Sequence, residues 1–216
     1  MALNRSIVPA TILVVALVGH ARGANFVEAV ITADNRYGLY HGRSDGSELT
    51  LVGGGDGNWA TTETWTFTPD PDDHLFVLAW DEGGPQMWIA EFTLPTGHTV
   101  LSNTTDWQFS VTGEPNPGPA GPLPPLSTVI VDISRNSWQV PLVSRPHGDG
   151  WSDFGSFSDI SLSAFMVWHD TFDTSTSDDS YVIFRTVQPL RELPEPATLS
   201  LLLLAFHTLI MNRHRS

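Results

Sequence analysis

His74-Leu75-Phe76-Val77-Leu78-Ala79-Trp80 is nearly all apolar over seven residues. It is too short for a helix that would need such a run, and Asp72-Asp73 and Asp81-Glu82-Gly83 punctuate its two ends. A short apolar run bounded by turn residues reads as a strand buried on both faces. Working outward, the same grammar repeats. Stretches rich in Val, Ile, Thr, Phe, Tyr and Trp recur near 26–33, 36–42, 48–53, 62–68, 86–93, 106–112, 127–133, 138–143, 161–169 and 180–187, each closed by Gly, Pro, Asn or Asp. Ser161-Leu162-Ser163-Ala164-Phe165 alternates as a half-exposed strand should. Between 24 and 190 no window longer than ten residues carries a 3.6-residue period. Many short strands with turns every eight to twelve residues predict an all-β protein, a jelly-roll-like β-sandwich.

Gly113 to Pro125 (GEPNPGPAGPLPP) is the one stretch that could divide the chain. Residues 127–190 would make a small sandwich of their own without disulfides, so residues 24–190 read as a single domain crossed by this Gly/Pro-rich loop. The chain has no cysteine, which removes thiol catalysis, cysteine zinc sites and iron–sulfur chemistry. It also has no lysine. Residues 24–192 hold six arginines and 23 acidic side chains, a net charge of −17. Such a surface repels nucleic acid and anionic lipid, attracts divalent cations or basic partners, and is indifferent to neutral glycans.

The two ends are of another kind. Arg5, the apolar stretch Ala10 to Gly19 and small residues Ala21 and Gly23 around a basic Arg22 make residues 1–23 a secretory signal peptide, cleaved by signal peptidase before Ala24. At the other end, Pro194-Glu195-Pro196 stays extended because each proline fixes its own φ and disfavours helix in the residue before it. Leu199 to Met211 is apolar but shorter than the ~17–25 residues of a comfortable transmembrane helix, and Ser200, His207 and Thr208 dilute it. Arg213 and Arg215 close the chain and favour the cytoplasmic side.

That ordered triplet, apolar run and basic end over residues 193–216 resembles the PEP-CTERM sorting signal of Gram-negative bacteria. The resemblance implies recognition of Pro194, Glu195 and Pro196 by an exosortase-type membrane protease, transient inner-membrane association through the tail, and delivery to the cell surface or an exopolysaccharide matrix. A second resemblance covers the body. Asp34-Asn35-Arg36-Tyr37-Gly38-Leu39-Tyr40-His41-Gly42, a loop carrying Trp59, Thr64-Trp65-Thr66-Phe67 and Leu75 to Asp81 together look like a galactose-binding-like jelly roll. Phe165-Met166-Val167-Trp168 with Tyr181 to Arg185 resembles the closing hairpin of bodies that precede such tails.

On that fold Asp34-Asn35 and Asp81-Glu82 would approach each other. Carboxylate and amide oxygens suit Ca²⁺, which takes about six to eight of them. The same residues are also ordinary turn formers. Trp59, Trp107, Trp138 and Trp151 adjoin loops and are candidates for stacking on sugar CH faces; the other reading of each is a core tryptophan. Gly53-Gly54-Gly55-Asp56-Gly57 lacks the following helix and Lys-Ser/Thr of a phosphate loop. Gly42-Arg43-Ser44-Asp45-Gly46 matches G-x-S-x-G in letters, yet a strand comes after it, so a hairpin turn is expected there. Histidines 41, 74, 98, 147 and 169 stand singly, without a metal-hydrolase spacing. The sequence therefore predicts a non-catalytic, exported surface protein that binds glycan. A secreted glycan-acting hydrolase and a purely structural matrix component are the alternatives.

Overall fold

The computed structural model describes residues 26–55, 57–83, 86–118, 121–135, 137–148, 156–170 and 179–193. The signal peptide with Ala21, Gly23 and Ala24, the tail from Pro194 onward, and Trp151 lie outside the described residues.

Two antiparallel sheets pack face to face. The first contains β1 (Val27–Asp34), β4 (Glu63–Phe67), β6 (Met87–Thr93), β7 (Thr99–Leu101), β9 (Leu142–Pro146) and β10 (Phe165–Trp168), in the order β4-β1-β6-β10-β9, with β7 pairing β6. The second contains β2 (Arg36–Gly42), β3 (Thr50–Gly54), β5 (His74–Trp80), β8 (Trp107–Pro115) and β11 (Ser180–Thr186), in the order β3-β2-β5-β11-β8. Period-two alternation explains the layers. From β5, Leu75, Val77 and Ala79 point into the inter-sheet core with Val27, Ala29, Ile31, Leu39, Trp88 and Phe184. Phe76, Leu78 and Trp80 point the other way, which leaves an apolar outer face on the second sheet.

One short helix covers that face. α1 (Leu126–Arg135) buries Val129, Asp132 and Ile133, spaced i, i+3, i+4, against Tyr40, Phe76, Leu78, Trp80, Tyr181 and Ile183. This corrects the strand expected over 127–133. Its β-branched residues argue for a strand, but the apolar floor beneath selects the conformer that turns one stripe inward. Pro125 stands just before the first turn, and its carbonyl accepts from Thr128 and Val129 N–H. Asp132 is buried as the acceptor of the Tyr181 hydroxyl.

Other boundaries shift. Residues 161–164 form a turn, and only Phe165–Trp168 is strand. The strand expected at 138–143 starts at Leu142, with Gln139 instead bridging Phe109. β7 is a strand that the sequence pattern does not announce. β10 and β11 are not a closing hairpin, because each enters a different sheet. Gly42 to Gly46 is a β2–β3 turn, held by Arg43 N–H to the Ser47 carbonyl at 2.9 Å and by Asp45 accepting from Ser47. Among the described residues, no helix is long and apolar enough to cross a membrane.

Candidate functional site

The strand register sorts the loops between two opposite ends of the sandwich. β5 runs from His74, paired with Gly42, to Trp80, paired with Arg36. Seven residues at ~3.3 Å each put these ends about 20 Å apart. At the Trp80 end lie the β1–β2 turn, the β3–β4 loop with Trp59, the β5–β6 loop and the exit of β8. At the His74 end lie the β4–β5 loop, the β6–β7 turn and the final 3₁₀ turn, Leu190–Glu192, from which the tail departs.

The Trp80 end holds the polar cluster. The Asn35 side-chain carbonyl accepts from Glu82 N–H at 2.7 Å, and Asn35 N–H donates to the Trp80 carbonyl at 3.1 Å, so the two acidic turns expected to meet do meet. Asp81 Oδ2 accepts from Gly83 N–H at 2.9 Å, and the Asn116 side chain donates to the Asp81 carbonyl. Asp34 is 4% exposed, and its Oδ1 is enclosed without a hydrogen-bond partner. Burial, helped by the negative charges of Asp81 and Glu82, pushes its carboxyl up to about 7. Asn35 and Asp81 thus brace backbone as turn residues do, while Asp34 Oδ1 is enclosed without a hydrogen-bond partner. Among the described residues no three His, Asp or Glu side chains converge closely enough to hold a metal ion by themselves.

Beside this cluster runs an aromatic relay. Trp65 Nε1–H donates to Tyr37 Oη at 2.8 Å, and the Tyr37 hydroxyl donates to Glu63 Oε2. Gly53 and Gly55 make room for these rings. A Cβ on Gly53 would sit 2.4 Å from Trp65 ring carbons, and one on Gly55 would sit 2.6 Å from the Tyr37 ring. Thr32, Asn35, Tyr37, Asn58 and Glu63 line a shallow polar depression here. Tyr37, Glu63, Trp65 and Asn116 are the site residues that sequence reasoning missed. The signal was available for two of them: in Glu63-Thr64-Trp65-Thr66-Phe67 the odd positions share one face.

The four loop tryptophans part company. Trp59 is half-buried, its carbonyl accepts from Thr32 Oγ1 at 3.0 Å, and its ring packs beside Val30 and Leu101 against Met87, Ile89, Phe157, Ile160, Ala164 and Met166. Trp107 is a correction. It is 0% exposed, meets Trp88 edge-on at 4.7 Å, and its Nε1–H donates to the Leu101 carbonyl, so no face is left for a sugar. Its neighbour in sequence is a turn, but β8 has begun and the side chain points inward. Trp138 stacks under the Arg185 guanidinium, 3.9 Å from ring centre to Cζ, which occupies one of its faces.

The His74 end is an ion-pair lattice. Arg43 reaches Glu48 at 3.1 Å and Asp70 at 3.3 Å, Arg191 pairs with Asp72, and Asp73 Oδ2 lies 2.8 Å from His41 Nδ1. A pocket of about 170 Å³ opens there between Pro69, Pro71, Leu94, Pro95 and Leu190.

Comparison with family models, with curated proteins and with solved structures finds no match to this chain.

Proposed function

We propose that this chain is an exported, non-catalytic surface or matrix protein of a Gram-negative bacterium. The leader takes it out, the tail at 193–216 is handled by an exosortase-type membrane protease, and the body is a galactose-binding-like jelly roll that binds neutral polysaccharide at its Trp80 end. The observation that supports this is the separation of the two ends. The tail leaves from one, about 20 Å from the loops that carry Trp59, Asp34 and the Tyr37–Glu63 relay, so a molecule held by its tail presents those loops outward. A net-negative, lysine-free surface favours uncharged partners, and half-buried Trp59, next in sequence to Asn58 of the polar depression, suits a sugar's CH face and hydroxyls.

Ca²⁺ belongs to the same proposal. A buried carboxylate with one oxygen lacking a hydrogen-bond partner, beside two others, is relieved by a proton or by a cation. Asp34, Asn35 and Asp81 supply two carboxylates and an amide, to be completed by backbone carbonyls and water.

A glycan array probed with the full chain, with and without Ca²⁺, tests the reading. Weak binding to a neutral polysaccharide is expected. It should survive moderate salt and be reduced at least tenfold by Trp59→Ala without a change in circular dichroism. Preference for an anionic polymer, or no binding across the array, would leave a purely structural matrix component as the better description. Separately, Pro194-Glu195-Pro196 replaced by alanines should hold the full-length form in the inner membrane. Intact mass showing residues 199–216 still present on the wild-type surface form would refute the sorting role.

A further inference from the structure

We propose that His147 is a proton-operated clasp that holds the segment Phe157–Ser161, and through it Trp59, against the outer face of the first sheet. His147 comes directly after β9 and is 6% exposed. Its Nδ1 lies 2.9 Å from the Ser161 carbonyl, and its Nε2 lies 2.9 Å from the Phe157 N–H. A carbonyl only accepts and a backbone N–H only donates, so Nδ1 must carry the proton and Nε2 must be bare. The ring also stacks on Phe157 at 5.9 Å and 24°. One imidazole thus fixes both ends of a five-residue segment, and only in its neutral form.

A second proton would go to Nε2 and confront the Phe157 N–H. Donor would then face donor in a site closed to water, which leaves both groups unpaired. Among the described residues, the charged groups of the packed elements do not remove this conflict. Glu91 of β6 is engaged with Ser161 N–H at 2.7 Å, and Asp159 on the segment itself accepts from Ser158. Arg145, two residues back on β9, carries charge of the same sign as an imidazolium. Among the described residues, the apolar cluster to which Phe157 belongs adds Met87, Ile89, Ala164 and Met166, which carry no charge.

The segment's cargo is Trp59. Phe157 and Ile160 belong to the apolar cluster on which Trp59 packs, and Asp159 reaches Thr62 Oγ1 of the same loop at 3.5 Å. Releasing Phe157 would remove one wall of the Trp59 seat. That this regulates glycan binding rests on the reading of Trp59 given above; the clasp itself does not.

NMR on the full chain tests it, with amide protection factors and the His147 ring nitrogens read at pH 7.5 and pH 5.0. At pH 7.5 the Nε2 resonance should be that of an unprotonated acceptor. At pH 5.0 protection of the Phe157 amide should fall at least tenfold, and the Trp59 indole cross-peak should move with the same midpoint. His147→Gln, whose side-chain carbonyl can accept in place of Nε2 without titrating, should keep Phe157 protected at both pH values. If Nε2 is protonated at pH 7.5 or still bare at pH 5.0, or if Phe157 stays protected once His147 is charged, the clasp is refuted. If Phe157 is released while Trp59 does not move, the coupling is refuted. Each readout is independent of whether any glycan binds.

Discussion

Asp34 carries a charge that its surroundings resist. Its carboxyl is raised from 3.8 to about 7, chiefly by burial and then by Asp81 and Glu82. Between those values the native state keeps a proton that the unfolded chain has released. Stability from this group is therefore complete below pH ~4 and lost as pH rises through ~7. Asp34→Asn should flatten the decline and raise Tm at pH 8 by roughly 5 °C, with little change at pH 3.5. Thermal melts across pH 3.5–8 check this, and a flat wild-type profile would contradict it. If Ca²⁺ is the native counterion, it should raise the wild-type Tm at pH 8 and leave Asp34→Asn unmoved. Gly53 makes a different demand, for space. With Trp65 ring carbons 2.4 Å from where a Cβ would be and the indole tied to Tyr37, neither side can yield cheaply. Gly53→Ala should cost about 2–3 kcal/mol in urea unfolding, and clearly less in a Trp65→Leu background, as expected for two positions in contact.

At the level of elements, α1 and the strands obey different masters. Val77 and its neighbours in β5 could be read from the sequence because burial on both faces leaves an unbroken apolar run, a local signature. The stretch 127–133 could not, because Thr128, Val129, Ile130, Val131 and Ile133 look β-like alone and become helical only over the floor that β2, β5 and β11 build. The candidate site divides the same way. The meeting of Asp34-Asn35 with Asp81-Glu82 came out of the jelly-roll expectation. The inward turn of Trp107 and the Trp65–Tyr37–Glu63 relay depend on register, which the residues themselves do not announce. The helix latch gives a direct check. Tyr181→Phe would leave the Asp132 carboxylate buried without its donor and should cost about 3 kcal/mol, whereas Asp132→Asn keeps an acceptor and should cost nearer 1 kcal/mol. Chemical denaturation followed by far-ultraviolet circular dichroism distinguishes the two, and equal losses would mean the hydrogen bond is not what holds α1.

Across the whole molecule, sheet partners come from both sides of the Gly113 to Pro125 segment. β11 pairs with β5 and β8, and β10 pairs with β6, so neither half of the chain owns a complete sheet. The full chain should accordingly unfold in one cooperative calorimetric step, and two resolved steps would mean the segment separates independent units. The placement of β11 has a further consequence, for timing. Among the described residues the last strand to be synthesised is an interior one, flanked on both sides, and its Val182 and Phe184 fill the middle of the inter-sheet core. A chain threaded from its N-terminus has the other described strands in hand and still cannot close, because contacts far apart in sequence must wait for residue 186. Truncation after residue 179 should therefore abolish the cooperative transition altogether. Until β11 has been added, such a polypeptide stays open and threadable, the state that the export proposed above would need.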